Sequence, residues 1–455
     1  FIGIGGIGMS AIARYFLTLG KKVYGYDKTE TDITKQLERE GAVIHYQEDV
    51  NQAPKEVDYV VYTPAIPRAH AELQHYLNEG YEVVKRSDIL QVISESSFNI
   101  CVAGTHGKTT TSTMIAHLLR DTGYGCNAFL GGISANYGTN FWSSPNNVCV
   151  IEADEYDRSF LKLSPDVAVI TAMDADHLDI YENEENFKDA FRLFAQKIKK
   201  DGLLLKKFGL DRKMEAGRTL TYNLQNQSAD VYASNIVIKE GGYNFDAVIK
   251  GKVISDIRLN MGGMHNLENM MAAIAVAESL EIEPQKIKDA VASFKGVKRR
   301  FEYIIPPAPL GEGLGEGLVF IDDYAHHPEE LKALISGAKS LFPGRRCTLI
   351  FQPHLFSRTR DFADDFARVL SEVDHIVLLP VYPARELPIE GVSSDIILNK
   401  IDAGKKSLYS KEELLKWVED FAVNRNKEFG EVFITAGAGD IDKLVAPIKQ
   451  ILIKK

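Results

Sequence analysis

Short apolar runs and amphipathic stretches alternate along most of the chain, with glycine-rich turns between them. Residues 98–103 form an apolar run, which a glycine turn connects to an amphipathic stretch at residues 109–120. Residues 1–20 show the same order of apolar run, glycine turn and amphipathic stretch. A short apolar run predicts a buried strand, and an apolar face with helical spacing predicts a helix. The alternation therefore predicts an α/β fold with parallel sheets.

The chain has 455 residues, which is more than one ordinary hydrophobic core supports. We expect a Rossmann-like domain at residues 1–95, a central P-loop ATPase-type α/β domain at 96–297, and a C-terminal Rossmann-like α/β domain at 298–455. In the last domain, the predicted strands are 318–322, 348–351, 375–379 and 432–435, and the predicted helices are 329–341, 361–370, 412–421 and 441–453.

The composition is that of a globular protein, with 45% hydrophobic and 25% charged residues. A net charge of −10 provides no basic footprint, so we expect no nucleic-acid partner. No apolar run approaches the ~20 residues that cross a membrane, so no membrane insertion is expected. The four cysteines form no CxxC pair, which favours reduced thiols and a cytoplasmic location. The chain starts inside a predicted strand, so we expect residues before Phe1, and a targeting segment there stays open.

The stretch GTHGKTT follows the apolar run 98–103 and opens a predicted helix. Backbone N–H groups of such a turn and the positive end of the helix dipole attract phosphate. Lys108 adds a charge for the outer phosphates, and the Thr109 hydroxyl is suited to Mg²⁺. The spacing departs from the usual phosphate loop, because Val102 stands where its first glycine would be. The hypothesis is an ATP site at Gly104, Thr105, His106, Gly107, Lys108, Thr109 and Thr110; the alternative is an ordinary helix-opening turn.

A second glycine turn lies at the start of the chain, where Gly3, Gly5 and Gly8 fit the G-x-G-x-x-G pattern. Asp27 ends the next predicted strand, close to the offset of a ribose-binding acid. The pattern predicts an anion site, and by pattern alone NAD is the default ligand. The alternative is a glycine-rich turn without a ligand.

Polar groups also follow other predicted strands. Glu152 is the first acid after the apolar run 148–151, which favours it as a Mg²⁺ ligand, whereas Glu155 and Asp157 fit helix-start charges. In the third domain, the segments IDDYAHHP, QPHLFSRTRDF, LPVYPARELPIEGV and TAGAGDI each follow a predicted strand. Ligands of open parallel sheets bind at these strand ends. Residues 304–317 are rich in Pro and Gly, and we expect no chemistry there.

Several of these strings, in this order, resemble the motifs of the Mur ligases, which build the peptide of bacterial cell-wall precursors. They are GIGGIGMSAIA, GTHGKTT, EADEYD, DHLD and GMHNLEN. The resemblance implies that Gly3, Gly5, Gly6, Gly8, Asp27 and Arg86 bind a UDP-sugar. It implies that Thr109, Glu152 and His177 hold metal, with Mg²⁺ as the expected ion and Mn²⁺ as its substitute. It adds Asn266, Asn269, Arg300 and Asp322 to the ATP site, and it makes Lys108, Glu152, His177 and Arg300 catalytic.

The strings FQPHLFSRTRDF and VYPARELPIEG resemble the family members that attach the first amino acid. The resemblance implies that His327, His354 and Arg358 bind an amino acid, with L-alanine expected first. Leu355 and Phe356 depart from the usual PHRYTR pattern, in which Arg and Tyr stand there. The implied reaction joins L-alanine to the carboxylate of UDP-N-acetylmuramate through an acyl phosphate, at the expense of ATP. We expect a monomer or a weak dimer in the bacterial cytoplasm.

Three alternatives remain at this point. EADEYD and DDYAHH are also similar to family members that recycle a ready-made tripeptide onto the same sugar. An NAD-dependent oxidoreductase explains only the first glycine turn. A non-catalytic ATP-driven switch or scaffold explains the GTHGKTT loop but not the polar clusters of the third domain.

For His177, a capping or core role is the alternative to metal binding.

Overall fold

The structure is a computed structural model, in which two compact units are distinguished. It describes residues 1–156, 158–174, 178–210, 212–307, 317–384, 386–401, 405–424 and 430–454. The first unit comprises residues 1–234, 246–257 and 268–294, and the second comprises residues 235–245, 258–267 and 295–455.

The first part of unit 1 contains two short parallel strand pairs, β1 with β2 and β3 with β4. The predicted first strand is reduced to one residue, Ile2, which bridges Tyr26 and Tyr62, because the chain turns at Gly3 with a φ of 85°. The elements are α1 Ile7–Thr18, β1 Tyr24–Tyr26, α2 Asp32–Arg39, β2 Val43–His45, β3 Val60–Tyr62, α3 Ala71–Asn78, β4 Val83–Lys85 and α4 Arg86–Glu95.

A ten-stranded sheet follows, in the order β14-β13-β12-β11-β10-β9-β5-β8-β6-β7. Its strands are β5 Phe98–Ala103, β6 Asn127–Phe129, β7 Phe141–Trp142, β8 Val148–Glu152, β9 Val167–Ile170, β10 Leu203–Lys207, β11 Arg218–Tyr222, β12 Val231–Lys239, β13 Gly242–Ile249 and β14 Lys252–Leu259. Its helices are α5 Lys108–Asp121, α6 Leu178–Tyr181, α7 Glu184–Ala195, α8 Met264–Ser279 and α9 Pro284–Ser293.

The centre of this sheet is parallel, since β5 pairs with β8 and β9 in the same direction. Residues 148–151 are buried, as are residues 167–170, and residues 100–103 of β5 are fully buried. Parallel strands covered on both faces read as continuous apolar runs rather than as alternating patterns. This explains why the apolar runs located these strands correctly in the sequence.

Unit 2 contains a six-stranded sheet in the order β15-β16-β20-β17-β18-β19, in which β15 is antiparallel to β16 and the other pairs are parallel. Its strands are β15 Glu302–Ile305, β16 Leu318–Asp323, β17 Arg346–Phe351, β18 His375–Leu378, β19 Lys405–Leu408 and β20 Glu431–Ala436. Its helices are α10 Pro328–Leu341, α11 Phe356–Asp361, α12 Ala363–Leu370, α13 Asp395–Leu398, α14 Lys411–Asn424 and α15 Asp442–Ile453.

The predicted α/β class with parallel sheets is confirmed, and four strands of the second sheet match their predicted positions within two residues. The sequence analysis missed the edge strands β15 and β19, which are short and half-exposed or charged. The predicted helix at 361–370 is in fact two helices, since α11 begins earlier and ends at Asp361. Leu355, which precedes α11, has a φ of 69°, and Glu386 accepts a hydrogen bond from the Ser357 N–H at 3.0 Å. A distant carboxylate therefore caps a helix whose own N-cap residue is apolar.

Within the described part of the chain, no helix combines the length and the apolar character needed to span a bilayer.

Replacing Phe433 with Ala should destabilise unit 2 by about 3–5 kcal/mol, since a fully buried ring is lost. The rings of Phe320, Trp417 and Phe421 lie 5.4, 6.4 and 5.2 Å from it. Urea unfolding followed by tryptophan emission measures the change, because Trp417 is one of two tryptophans. Val423→Ala, at an 80% exposed position, is the control and should stay within about 0.5 kcal/mol of the parent. Equal midpoints for the two variants would contradict this account of the core.

Candidate active site

Residues 104–107 form the turn between β5 and α5, residues 108–110 open the helix, and two glycines of the turn adopt a backbone conformation that other residues rarely take. Gly104 has a φ of 137° and Gly107 a φ of 82°. A Cβ on Gly104 would lie 2.1 Å from the Thr171 Oγ1, and one on Gly107 would lie 2.9 Å from the Asn269 Oδ1. No side chain caps α5, so the first N–H groups of that helix are donors without a helical acceptor. This turn is therefore built to receive an anion.

The end of β9 holds the turn in place. The Thr171 hydroxyl donates to the backbone oxygens of Ala103 and His106, and the Thr105 N–H donates to the Ala172 oxygen at 3.3 Å. The Thr105 Oγ1 in turn accepts the Asp174 N–H at 3.2 Å. These hydrogen bonds join the turn after β5 to the segment after the neighbouring strand β9, so protein contacts alone hold the turn in place.

Lys108 uses two of its donors inside the protein. Its Nζ donates to the Gly104 oxygen at 2.6 Å and to Glu155 Oε1 at 2.7 Å. Glu155 is 1% exposed, and burial raises the pKa of its carboxyl although the Lys108 charge lowers it. Among the described residues, no group bonds to the other oxygen of Glu155. The sequence analysis treated Glu155 as a helix-start charge and missed this ion pair, because the spacing of acids does not show which one turns inward.

Thr109 and Glu152 lie together, as their predicted shared role requires. The Thr109 hydroxyl donates to Glu152 Oε1 at 2.9 Å, and Glu152 Oε2 accepts the Gly131 N–H at 2.9 Å. A hydroxyl and a carboxylate at a phosphate-binding turn fit Mg²⁺, which is held by few protein oxygens together with substrate phosphates. Across the described ranges, no group of three or more His, Cys, Asp or Glu could hold a metal by itself. The predicted ligand His177 lies outside the described residues.

Asp27 forms a hydrogen bond with the backbone of the first glycine turn. Asp27 Oδ2 accepts the Gly5 N–H at 2.8 Å, and a Cβ on Gly5 would lie 2.9 Å from the same oxygen. Arg86 lies against the turn, since a Cβ on Gly8 would be 2.8 Å from its Nη1. Arg86 also faces Asp154 at 3.6 Å. The acid that fits a ribose-binding position in the sequence thus also supports the turn itself.

A cavity of about 390 Å³ connects this turn with Glu152. Its wall includes Gly6, Gly8, Arg86, Leu130, Glu152 and Asp154. The cavity therefore begins at a turn suited to an anion and ends at the carboxylate bonded to Thr109.

Asn266 and Asn269 are both on α8, and both are buried. Asn266 is 2% exposed and donates to the Gly262 oxygen at 2.7 Å. Asn269 is 9% exposed and faces the glycine turn at Gly107. Their predicted contacts with ATP stay predictions.

In unit 2, the adjacent Arg299 and Arg300 share one aromatic partner. Both guanidinium groups lie over the Tyr324 ring, at 5.1 Å for Arg299 and 5.2 Å for Arg300, and Arg299 also pairs with Asp322 at 3.3 Å. Asp322 also accepts a bond from Thr435 at 2.6 Å, and burial raises its pKa to about 7. The Asp322 carboxylate is thus bonded to two side chains of the protein. The predicted contacts of Asp322 and Arg300 with ATP stay predictions.

His354 and Arg358 lie at the end of β17 and meet through a 3.4 Å contact between the Arg358 Nη1 and the His354 Nδ1. The centre of the His354 ring lies 5.8 Å from that of Tyr382, and the two rings are stacked. The His326 ring lies edge-on to the His354 ring, also with 5.8 Å between the ring centres. Burial, together with the charges of His326 and Arg358, lowers the pKa of His354 to about 4. Within the described chain, no carboxylate is in ion-pair distance of Arg358, so this cation is suited to an anionic ligand.

His327, which was predicted to join this group, starts α10 and has its ring 4.8 Å from Phe362. His326 is the histidine next to His354, and the sequence analysis missed it because two adjacent histidines in DDYAHHP do not show which one faces the cluster. It also missed Tyr382. Arg360, two residues after Arg358, is exposed and pairs with Asp361 at 2.7 Å.

Comparison with known proteins finds full-length relatives. The chain is 48% identical to UDP-N-acetylmuramate--L-alanine ligase of Parabacteroides distasonis, over 100% of this chain and 97% of that protein. It is 45% identical to the protein of the same name from Cytophaga hutchinsonii, over 98% of this chain and 95% of that protein.

Solved structures show the same architecture. The UDP-N-acetylmuramate-alanine ligase of Thermotoga maritima superposes with a TM-score of 0.80 at 26% identity, covering 100% of this chain and 97% of that chain. The murein peptide ligase of Psychrobacter arcticus shares the fold, with a TM-score of 0.66 at 22% identity, over 100% of this chain and 98% of that chain.

Three sequence models of one family match successive parts of the chain. They are described as the Mur ligase family catalytic domain at residues 1–97, the Mur ligase middle domain at 102–277 and the Mur ligase glutamate ligase domain at 299–439. The resemblance seen in the motifs is confirmed, and the three-domain α/β architecture agrees with it. The chain belongs to the Mur ligase family.

Proposed function

We propose that the protein is an ATP-dependent ligase that joins L-alanine to the carboxylate of UDP-N-acetylmuramate, producing ADP and phosphate. The relatives at 45–48% identity support the choice of substrates. Each is named UDP-N-acetylmuramate--L-alanine ligase, and each matches this chain over nearly its full length. The structural observation that carries the proposal is the cavity that leads from the first glycine turn to Glu152 beside the phosphate loop. It offers a path for a sugar nucleotide to bring its carboxylate to the γ-phosphate of ATP.

The first glycine turn is proposed to receive the diphosphate of the sugar nucleotide. No side chain caps α1, so its first N–H groups, which follow Gly6, face the cavity without a helical acceptor, and Arg86 supplies positive charge beside Gly8. Asp27 holds the turn by accepting the Gly5 N–H, which is a positioning role. We assign this site to a domain at residues 1–95, ATP to residues 96–297 and the amino acid to residues 298–455.

A carboxylate is a poor acyl donor because its leaving group would be oxide. Transfer of the γ-phosphoryl group to the carboxylate oxygen makes an acyl phosphate, from which phosphate can leave. The incoming carboxylate and the triphosphate are both anionic, so catalysis depends on cations and oriented dipoles around them. Lys108 and the N–H groups of residues 104–110 would stabilise the charge on the transferring group.

The donor set at Thr109 and Glu152 would hold Mg²⁺, or Mn²⁺ in its place, and the bound ion would neutralise charge on the phosphate and carboxylate oxygens. His177, Arg300, Asn266, Asn269 and Asp322 remain further candidates for the ATP and metal sites.

The amino acid is proposed to bind at the end of β17. Arg358 would hold the α-carboxylate, and its contact with His354 keeps the guanidinium oriented. His327 is a further candidate contact. ATP and sugar nucleotides are cytoplasmic metabolites, so we place the reaction in the bacterial cytoplasm, carried out by a monomer or a weak dimer.

A phosphate-release assay with UDP-N-acetylmuramate, ATP and L-alanine tests the proposal. Release that requires all three substrates supports it, and omission of any one should return the rate to background. A parallel reaction offers the cell-wall tripeptide in place of L-alanine. Use of the tripeptide and not of L-alanine would refute the proposed amino acid while leaving the ligase chemistry intact.

Replacing Lys108 with Ala should lower kcat at least ~10²-fold, because a charge that contacts the transferring phosphoryl group is removed. Phosphate release at saturating substrates measures the effect, and the melting temperature checks that the fold is intact. The matched control is Lys213→Ala, at a side chain that is 84% exposed, which should keep the parent rate. Normal turnover in folded Lys108→Ala would remove the GTHGKTT loop from the mechanism.

Replacing Glu152 with Gln should raise the Mg²⁺ concentration needed for half-maximal activity and lower kcat by ~10² or more. The amide oxygen can still accept the Gly131 N–H, and the amide NH2 can donate to the Thr109 hydroxyl, so both contacts persist without the charge and the variant separates metal binding from local packing. Metal titration of phosphate release is the measurement, with Glu215→Gln at a 70% exposed side chain as the control. An unchanged metal requirement would rule out Glu152 as a ligand.

Replacing Arg358 with Ala should raise the KM for L-alanine by ~10-fold or more while the KM for ATP stays near the parent value, because the partner of the α-carboxylate is lost. Steady-state kinetics with each substrate varied in turn shows the difference. Arg360→Ala is the control, since Arg360 lies two residues away and pairs with Asp361 in solvent. Equal rises in both KM values would place Arg358 outside the amino-acid site.

A further inference from the structure

The ring of His326 is held in one tautomer by its neighbours. Its Nδ1 lies 2.9 Å from the Tyr324 backbone oxygen, and a carbonyl oxygen can only accept, so Nδ1 carries the hydrogen. Glu330 Oε2 lies 3.3 Å from the same nitrogen and accepts the His326 backbone N–H at 2.9 Å. The carboxylate therefore fixes both the backbone and the ring of His326.

The other ring nitrogen of His326, Nε2, then carries the lone pair of the neutral imidazole. Within the residues that the structure describes, no group forms a hydrogen bond to this nitrogen. Burial lowers the pKa of His326, Glu330 raises it, and the positive charges of Arg358 and Arg300 lower it further. The ring is consequently neutral near pH 7 and able to take up a proton.

The neighbours of His326 match the two ends of an amino acid. Its ring lies 5.8 Å from the ring of His354, which contacts Arg358. An amino acid whose carboxylate is held by Arg358 would have its α-amine only one carbon away. His326 is thus close to the place where the amine of the proposed substrate must lose a proton.

We propose that Nε2 of His326 is the general base that deprotonates the incoming amine, with Glu330 and the Tyr324 carbonyl as its positioning groups. The inference rests on the proposed function. The ammonium N–H bond breaks and its proton moves to Nε2, which leaves a lone pair on the amine nitrogen. That lone pair forms the new bond to the acyl carbon, and the bond from this carbon to the phosphate oxygen breaks, with phosphate taking the electron pair. The nitrogen then loses its second proton to phosphate or solvent, and His326 returns its proton to solvent.

The test uses His326→Gln and two nucleophiles. L-alanine arrives protonated and needs a base, whereas hydroxylamine is unprotonated at neutral pH and traps an acyl phosphate as a hydroxamate without one. At pH 7.5 we expect ligation of L-alanine to fall by about 10²–10⁴-fold, the range that general-base catalysis contributes, and hydroxamate formation to stay at the parent rate. The loss should fall mainly on kcat rather than on the KM for L-alanine.

The pH dependence provides the second readout. For His326→Gln, kcat should rise about tenfold per pH unit as solution supplies more free amine, so the difference from the parent shrinks at high pH. In Glu330→Gln, the charge that raises the pKa of His326 is gone, so the acid limb of the kcat/KM profile should move to lower pH. His375→Gln, a histidine in β18 away from the cluster, is the control and should keep the parent profile.

Three results would overturn the assignment. They are equal losses with L-alanine and hydroxylamine, a loss in His326→Gln that does not change with pH, or an acid limb that does not move in Glu330→Gln. His326→Asn repeats the test should the Gln variant not fold, as judged by its melting temperature. Absence of phosphate release by the unmodified protein with all three substrates would instead mark a failure of the proposed function.

Discussion

The direction of the strands is the constraint on which both groups of polar residues depend: the phosphate loop with Glu152 in unit 1, and His326 with His354 in unit 2. In a parallel sheet, the carboxyl ends of neighbouring strands meet at one edge, and helices begin there with their N–H groups unsatisfied. In unit 1, β5 leads into the phosphate loop, β8 ends at Glu152 and β9 leads to Thr171, so three strands place their polar groups side by side. In unit 2, the same edge collects the ends of β16 and β17, with His326 and His354. Residues far apart in sequence become neighbours without any loop having to cross the sheet.

Charge balance at the phosphate loop follows from the same arrangement. Lys108 is paired with the buried carboxylate of Glu155, so the loop does not hold an isolated buried cation. Two of the three N–H donors of the Lys108 ammonium group are bonded to protein oxygens, and the tetrahedral geometry of the nitrogen then sets the direction of the third. An orientation set in advance lowers the reorganisation needed when a phosphate binds. Removing Glu155 alone would leave the lysine charge buried without its partner.

Much of the fold could be predicted from the sequence because buried parallel strands carry continuous apolar runs. Residues 98–103 and 148–151 are such runs, and their strands were located correctly. The edge strands β15 and β19 lack this signal, because only part of each faces the core. The start of α11 was missed because the turn at Leu355 depends on Tyr382 and Glu386, which the sequence alone does not place next to it.

The candidate site shows the same division. The resemblance to the Mur ligases paired Thr109 with Glu152 and His354 with Arg358, and the structure brings the members of each pair together. Spacing did not show that Glu155 turns toward Lys108, or that His326 rather than His327 faces His354. These are choices of side-chain direction, which packing decides.

The positive φ at Leu355 has a consequence for the orientation of Arg358, which we propose as the amino-acid contact. A non-glycine residue with positive φ costs about 1–3 kcal/mol and persists only where its surroundings impose it. Here the Leu355 N–H donates to the Tyr382 oxygen at 2.9 Å, and Glu386 binds Ser357. The start of α11, the helix that carries Arg358, is thus held by a loop about 30 residues downstream. A substitution at Glu386 can therefore change the orientation of Arg358, our proposed amino-acid contact, without replacing any residue of the proposed amino-acid site.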